Sequence, residues 1–289
     1  TMTVVPILGA GSSMADYKIG FKWWALIIAV VFVISELVCV ACVPERPVDC
    51  NEKPGKISDM FKALFKNDQA MTVVVSIILV YTSLNICGNL VLYFFRFDVG
   101  NEGAYSIFAA VAFAAQVLVM MVIPLLRKRF SKSQLFISGF IIQIAGFAVI
   151  LIMAFAKLYT PQSWYILCLP GILIYLGYGM LNVIMTIFLS DSVDYGEVMN
   201  GTREESVIFS MQTFTVKLAS GVAVFLAGLV VDWIHLDTAA AVQTQDTLDA
   251  LRMWMTIPSV ILLIVGIFVF KRFYKLDDAR MEEIKSKLN

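Results

Sequence analysis

The chain has 289 residues, 60% of them apolar and 15% charged, with 22 basic and 22 acidic side chains and a mean hydropathy of +0.83. Zero net charge gives no reason to expect nucleic acid as a partner, and the composition is that of a chain that crosses a bilayer repeatedly. The five cysteines (Cys39, Cys42, Cys50, Cys87, Cys168) include one CxxC pair but no second pair, and the single histidine is His235, so neither a zinc nor a disulfide framework is read.

Residues 1–15 read as the tail of an interrupted helix, with no signal-peptide pattern. Seven apolar runs follow, at about 22–43, 71–95, 104–126, 133–157, 163–189, 207–234 and 252–272. Each approaches or exceeds the roughly 20 residues that a helix needs to span a bilayer. Residues 44–70 form the one long interior connection, opening with Pro44, Pro47 and Pro54. Ile57, Met60, Phe61, Leu64 and Phe65 then recur at helical spacing, so an amphipathic linker helix is expected there, capped by Ser58. The tail, 274–289, is expected to form a surface helix.

Lysines and arginines set orientation. Five lie in 44–70, four in 127–132 and six in 271–289, whereas the alternate connections carry only Arg96, Lys157 and Arg252. The basic connections are therefore expected in the cytoplasm, with the C-terminus. Trp23, Trp24, Trp164, Trp233 and Trp254 then fall near the outer ends of spans, as an aromatic belt does. In that orientation the first span starts outside. The expectation is that at least one span lies upstream and that 44–70 joins two bundles.

The run 207–234 carries Lys217, about ten residues and so roughly 15 Å from the preceding acidic loop. A lysine at that depth costs about 2.5–3.5 kcal/mol on insertion scales, which asks for a compensating role. Snorkelling relieves a lysine near a helix end, not one at the centre. Gln212 and Thr213 lie one turn earlier, and Thr213 shares a face with Lys217. Phe214 and Leu218 are expected to point to neighbouring helices or lipid. The acids inside the spans are Glu36 and Asp232, neither a clear partner, so the partner carboxylates are expected outside this chain. Other polar residues inside spans include the amides Asn85, Asn89, Gln116, Gln143 and Asn182. Each alone reads first as a helix–helix hydrogen bond.

LSDSVDYGEVMNGTREESVIFSMQTFTVKLASG, residues 189–221, resembles the glycoside–pentoside–hexuronide cation symporters, the melibiose permease family of the major facilitator superfamily. The shared pattern is Asp191, Asp194, Tyr195, Gly196 and Glu197 in a loop; Arg203, Glu205 and Ser206 in a turn; then Gln212, Thr213 and Lys217 in helix eleven. MFKALFKND and PLLRKRFSKSQLF are similar to the family's linker and its loop between helices eight and nine, and Asn89, Tyr93, Phe94 and Phe95 follow its helix-seven pattern. The resemblance runs over about 57–272. It implies cation-driven uptake of a sugar or glycoside, with Lys217, Thr213 and Gln212 beside the cation site. It also implies a cytoplasmic gate network of Asp191, Asp194, Tyr195, Glu197 and Arg203, whose plainer reading is a solvated loop. In helix ten, where melibiose permeases place an aromatic that contacts sugar, this chain has Asn182.

The expected fold is therefore an all-α membrane protein: the C-terminal six-helix bundle of a major facilitator plus one preceding helix. Residues 1–43 would be a remnant of the first bundle, 44–70 the cytoplasmic linker, 71–273 the six-helix bundle and 274–289 the tail. The expected function is symport by alternating access in the plasma (inner) membrane, with a sugar or glycoside, a coupling sodium ion or proton, and the lipid bilayer as partners. The substrate cleft would include Asn182 and Asn89. No cofactor or bound metal is expected in this chain, and no enzyme, since HExxH and GxSxG are absent. The alternatives are a lipid or drug carrier of the same fold and a non-transporting scaffold or receptor.

Overall fold

The computed structural model describes residues 14–42, 65–201, 203, 205–240 and 242–288. Residues 1–13 of the helix tail expected over 1–15, and most of the linker, including Ile57, Met60, Phe61 and Leu64, lie outside the described residues. The chain divides into two compact units, residues 1–54 and 55–289. The first contains α1 (Met14–Cys42), whose stretch from Lys18 is apolar enough to span a bilayer.

The second unit holds six more spanning helices and the tail. They are α2 (Asp68–Tyr93), continued by a π-helical turn (Phe94–Asp98), α3 (Ala104–Leu126), α4 (Lys132–Phe155) and α5 (Cys168–Asn200), entered through a 3₁₀ turn (Trp164–Leu167). Then come α6 (Glu205–Trp233), α7 (Gln245–Phe273) and the short α8 (Asp278–Leu288). The described residues contain no strand, and all seven long helices carry a stretch long and apolar enough to cross a bilayer. A helix satisfies its own backbone groups, which is what hydrocarbon demands of a spanning segment.

Local signals set the helix ends. Asn67 caps α2 by accepting from Ala70 N–H at 2.9 Å, while its amide donates to the Ser192 carbonyl at 2.8 Å and so ties α2 to α5. Ser131 and Gln134 form a reciprocal capping box at the start of α4. Gly201 stops α5 at φ +73, a conformation open to glycine.

Two boundaries correct the sequence reading. The acidic stretch after residue 189 was expected to be a loop, but α5 runs on through Asn200, so Asp191, Asp194, Tyr195 and Glu197 are helical. Charge ends the part of a helix that suits hydrocarbon; it does not end the helix itself. Arg252, expected in an outer connection, lies inside α7, which begins at Gln245.

The bundle packs chiefly as α4 on α5, α2 on α7, α3 on α5 and α2 on α6. Glycine brings α4 and α5 together: a Cβ on Gly177 would stand 2.5 Å from the Gly139 carbonyl oxygen. Toward the Lys/Arg-rich end, Phe136, Phe140, Phe188 and Phe270 interlock with ring centroids 4.5–5.2 Å apart. The outward faces stay apolar, as with Phe113, Leu118, Met121 and Leu125 on α3.

Candidate functional site

Three polar groupings interrupt the apolar bundle. The first lies near the middle of the spans. Tyr81, Asn85 and Asn89 recur every fourth residue along one side of α2. The Asn85 amide donates to the Tyr81 carbonyl and that of Asn89 to the Asn85 carbonyl, both at 2.7 Å. From α5, the Asn182 amide donates to the Tyr81 hydroxyl. The Tyr81 ring meets Tyr178 edge to face at 5.5 Å, and Tyr178 meets Tyr175 at 6.5 Å. From α6, Gln212 donates to Thr186 at a long 3.4 Å, and the Thr213 hydroxyl turns back to its own helix at Phe209. Lys217 is exposed and has no hydrogen bond or ion pair among the described residues. Ser210, Thr213, Lys217, Gly221 and Gly228 form a small and polar strip along α6. Beside it run Phe214, Leu218, Phe225 and Leu229, all exposed. Phe214 and Leu218 therefore do not pack on neighbours within the bundle.

The second grouping is at the end where α4 and α6 begin. Lys132 and Asp191, each 5% exposed, form a buried ion pair. Lys132 also reaches Asp278 of α8 at 3.4 Å, and Arg127 meets the same carboxylate at 3.3 Å. Burial acts to raise the Asp278 carboxyl, but Arg127 and then Lys132 outweigh it and hold the group below its ordinary value. The Tyr274 hydroxyl is buried beside them with no hydrogen-bond partner among the described residues. Burial, with Asp191 and Asp278 adding, pushes that phenol far above its usual range. Arg203 meets Glu197 at 2.8 Å, Asp194 at 3.1 Å and Glu205 at 3.2 Å, all partly exposed. The Glu197 hydrogen bond foremost holds Arg203 above its ordinary value. The single network expected for this region is thus two. Asp191 turns inward to Lys132, whereas Asp194 and Glu197 turn to Arg203. Tyr195 joins neither and packs on Leu276, Met281 and Ile284 of the tail.

The third grouping closes the opposite end. Asp98, at the end of the π-helical turn, accepts from Arg252 at 2.8 and 2.6 Å and from the Tyr159 hydroxyl at 2.7 Å. Arg252 also donates to Asp249 at 2.6 Å. The Arg252 and Asp98 side chains are 3% and 4% exposed. Burial and the neighbouring Asp98 push the Tyr159 phenol well above its usual range, so it remains a proton donor.

Sequence reasoning missed Tyr81, Lys132, Asp98 and Asp278. The spacing of Tyr81 with Asn85 and Asn89 was a usable signal for the first. The others pair across 59, 154 and 151 residues, which no local pattern reveals. Among the described residues no cluster of metal-ligating side chains occurs, and Cys39, Cys42, Cys87 and Cys168 are free thiols.

An uncharacterized symporter of Bacillus subtilis is 25% identical over 292 residues, which cover 100% of this chain and 61% of that protein. The raffinose carrier protein of Pediococcus pentosaceus is 23% identical, over 99% of this chain and 44% of the carrier. The isoprimeverose transporter of Lactiplantibacillus pentosus is 25% identical, over 96% and 56%. The chain thus spans about half the length of these curated relatives. The family model described as MFS/sugar transport protein matches residues 1–278, in agreement with the family that the 189–221 stretch resembles. With nearly its whole length inside that match, the chain belongs to the MFS/sugar transport protein family.

Proposed function

We propose that this chain forms the second bundle of a secondary carrier that couples sugar or glycoside uptake to a sodium ion or proton by alternating access. The observation that carries the reading is Lys217: an ammonium near the middle of a spanning helix, exposed from its own bundle and unpaired among the described residues. Hydrocarbon does not tolerate such a group, so its face belongs against protein or a water-filled cleft. Thr213 shares the strip, and small residues at Gly221 and Gly228 let another element come close. In the whole carrier Lys217 neutralises carboxylates on the facing half while the cation is absent, and cation entry rearranges that pairing. Sugar and cation then favour each other's binding, a reciprocal linkage. Relatives named as raffinose and isoprimeverose transporters support a sugar as the cargo. The carrier would sit in the plasma (inner) membrane, and counts of lysine and arginine support a cytoplasmic side for the tail and the Arg203 end.

The test is sugar binding against cation concentration in the full-length carrier. Lys217→Met keeps the stem and removes the charge, so it should flatten the cation dependence. Lys217→Arg keeps the charge on a broader planar group and should impair coupling. Unchanged dependence in both variants makes Lys217 a structural lysine and removes the reading's main support.

A further inference from the structure

We propose that Tyr81 supplies the aromatic face on which the sugar ring rests, and that Asn182 is the residue that positions it. The inference rests on the sugar-transport reading above. Tyr81 and Asn182 lie near the middle of their spans, Asp68–Asp98 and Trp164–Asn200, at a depth comparable to that of Lys217 in Glu205–Trp233. Both are half-buried. The amide of Asn182 donates to the Tyr81 hydroxyl. The polar end of Tyr81 is therefore engaged, which leaves its ring as the part to offer a ligand.

A ring held in this way suits a sugar better than it suits lipid. A pyranoside offers one face of C–H groups and an edge of hydroxyls. Binding sites for such molecules combine aromatic surface with a few placed polar groups. Tyr81 provides the surface, with Tyr178 fixing its tilt edge to face at 78°. Asn85 and Asn89 provide the polar groups. Each amide nitrogen is used on its own helix one turn back, which leaves the side-chain carbonyl oxygens to accept from ligand hydroxyls. Thr186 and Gln212 continue the polar surface toward α6.

The competing role for the Asn182–Tyr81 bond is to glue α2 to α5. In that role the bond acts on the stability of the bundle and not on sugar affinity. The experiment measures glycoside binding, cation binding without sugar, and uptake in the reconstituted full-length carrier. Tyr81→Leu should weaken glycoside binding about tenfold, the effect of losing one good ring contact, while leaving cation binding in place. Tyr81→Phe keeps the ring and breaks the bond to Asn182. It should lose about threefold, as should Asn182→Leu, and the double variant should lose no more than either, because both remove one interaction. Retained cation binding certifies that each variant is folded. Tyr81→Leu with glycoside binding within about twofold of wild type overturns the proposal, and so does additive loss in the double variant. A wild-type carrier that binds no glycoside fails differently: it overturns the transport reading, and this inference with it.

Discussion

Lys132 and Lys217 carry the same ammonium, yet only Lys132 has carboxylates beside it among the described residues. Removing one member of a buried pair strands the other, at about 3–5 kcal/mol. Lys132→Met should therefore lower the thermal midpoint of this chain in detergent clearly. Lys217→Met should change stability by no more than about 0.5 kcal/mol, as for an exposed position. Equal losses would show that Lys217 has a partner here after all. Asp278 adds a pH dependence. Its carboxyl is held below its ordinary value, so its contribution is present above that value and is lost as pH falls through the lowered one. Docking of α8 should then weaken only below about pH 4, seen as faster amide exchange over 278–288, and Asp278→Asn should remove the effect. Continued protection of α8 in acid would assign its docking to Leu276, Met281 and Ile284 instead. The sequence exposed Lys217 because one charge in an apolar run stands out. It concealed the partners of Lys132 because a contact 59 residues away leaves no periodic trace.

At the scale of elements, existence and order of the spanning helices were legible from apolar runs, because bilayer thickness imposes a length that few other structures need. Their ends were less legible. The reading stopped α5 near 189, where the charges start; the helix stops at Gly201, where the backbone turns left-handed. Similarly, α7 takes in Arg252 because Asp98 and Asp249 neutralise it inside the bundle. Helix pairing was not legible. Gly177 now has a definite role at the α4–α5 crossing, so Gly177→Ala should force the helices apart at the Gly139 carbonyl. The expected loss is about 1–3 kcal/mol, in the range of overpacked cores. A thermal midpoint equal to that of wild type would mean that the two helices can separate freely, and that the close approach has no structural weight.

Across the six-helix unit, the two ends differ in how their charges are held. The Asp98 end is closed by a buried knot that joins the π-helical turn after α2, the 156–163 connection through Tyr159, and α7. The Arg203 end has one buried pair, Lys132 with Asp191, and beside it the partly exposed pairs of Arg203, each of the latter worth about 0.2–1 kcal/mol. A carrier that rocks around a central site needs contacts that break and re-form on each cycle, and only weak pairs can do so quickly. We expect Arg203 with Asp194 and Glu197 to belong to such a gate, and Arg252 with Asp98 to hold part of one bundle rigid. Arg203→Ala in the full-length carrier should barely change stability or sugar affinity but should slow turnover, because a gate contact shifts the balance between inward and outward states and leaves the site alone. Arg252→Met should do the reverse, costing about 3–5 kcal/mol of stability by stranding Asp98. Thermal midpoints, equilibrium sugar binding and initial uptake rates, measured on both variants, separate the two roles. Equal loss of binding and turnover in Arg203→Ala, or no loss of either, would remove Arg203 from the gate and leave it as a solvated surface charge.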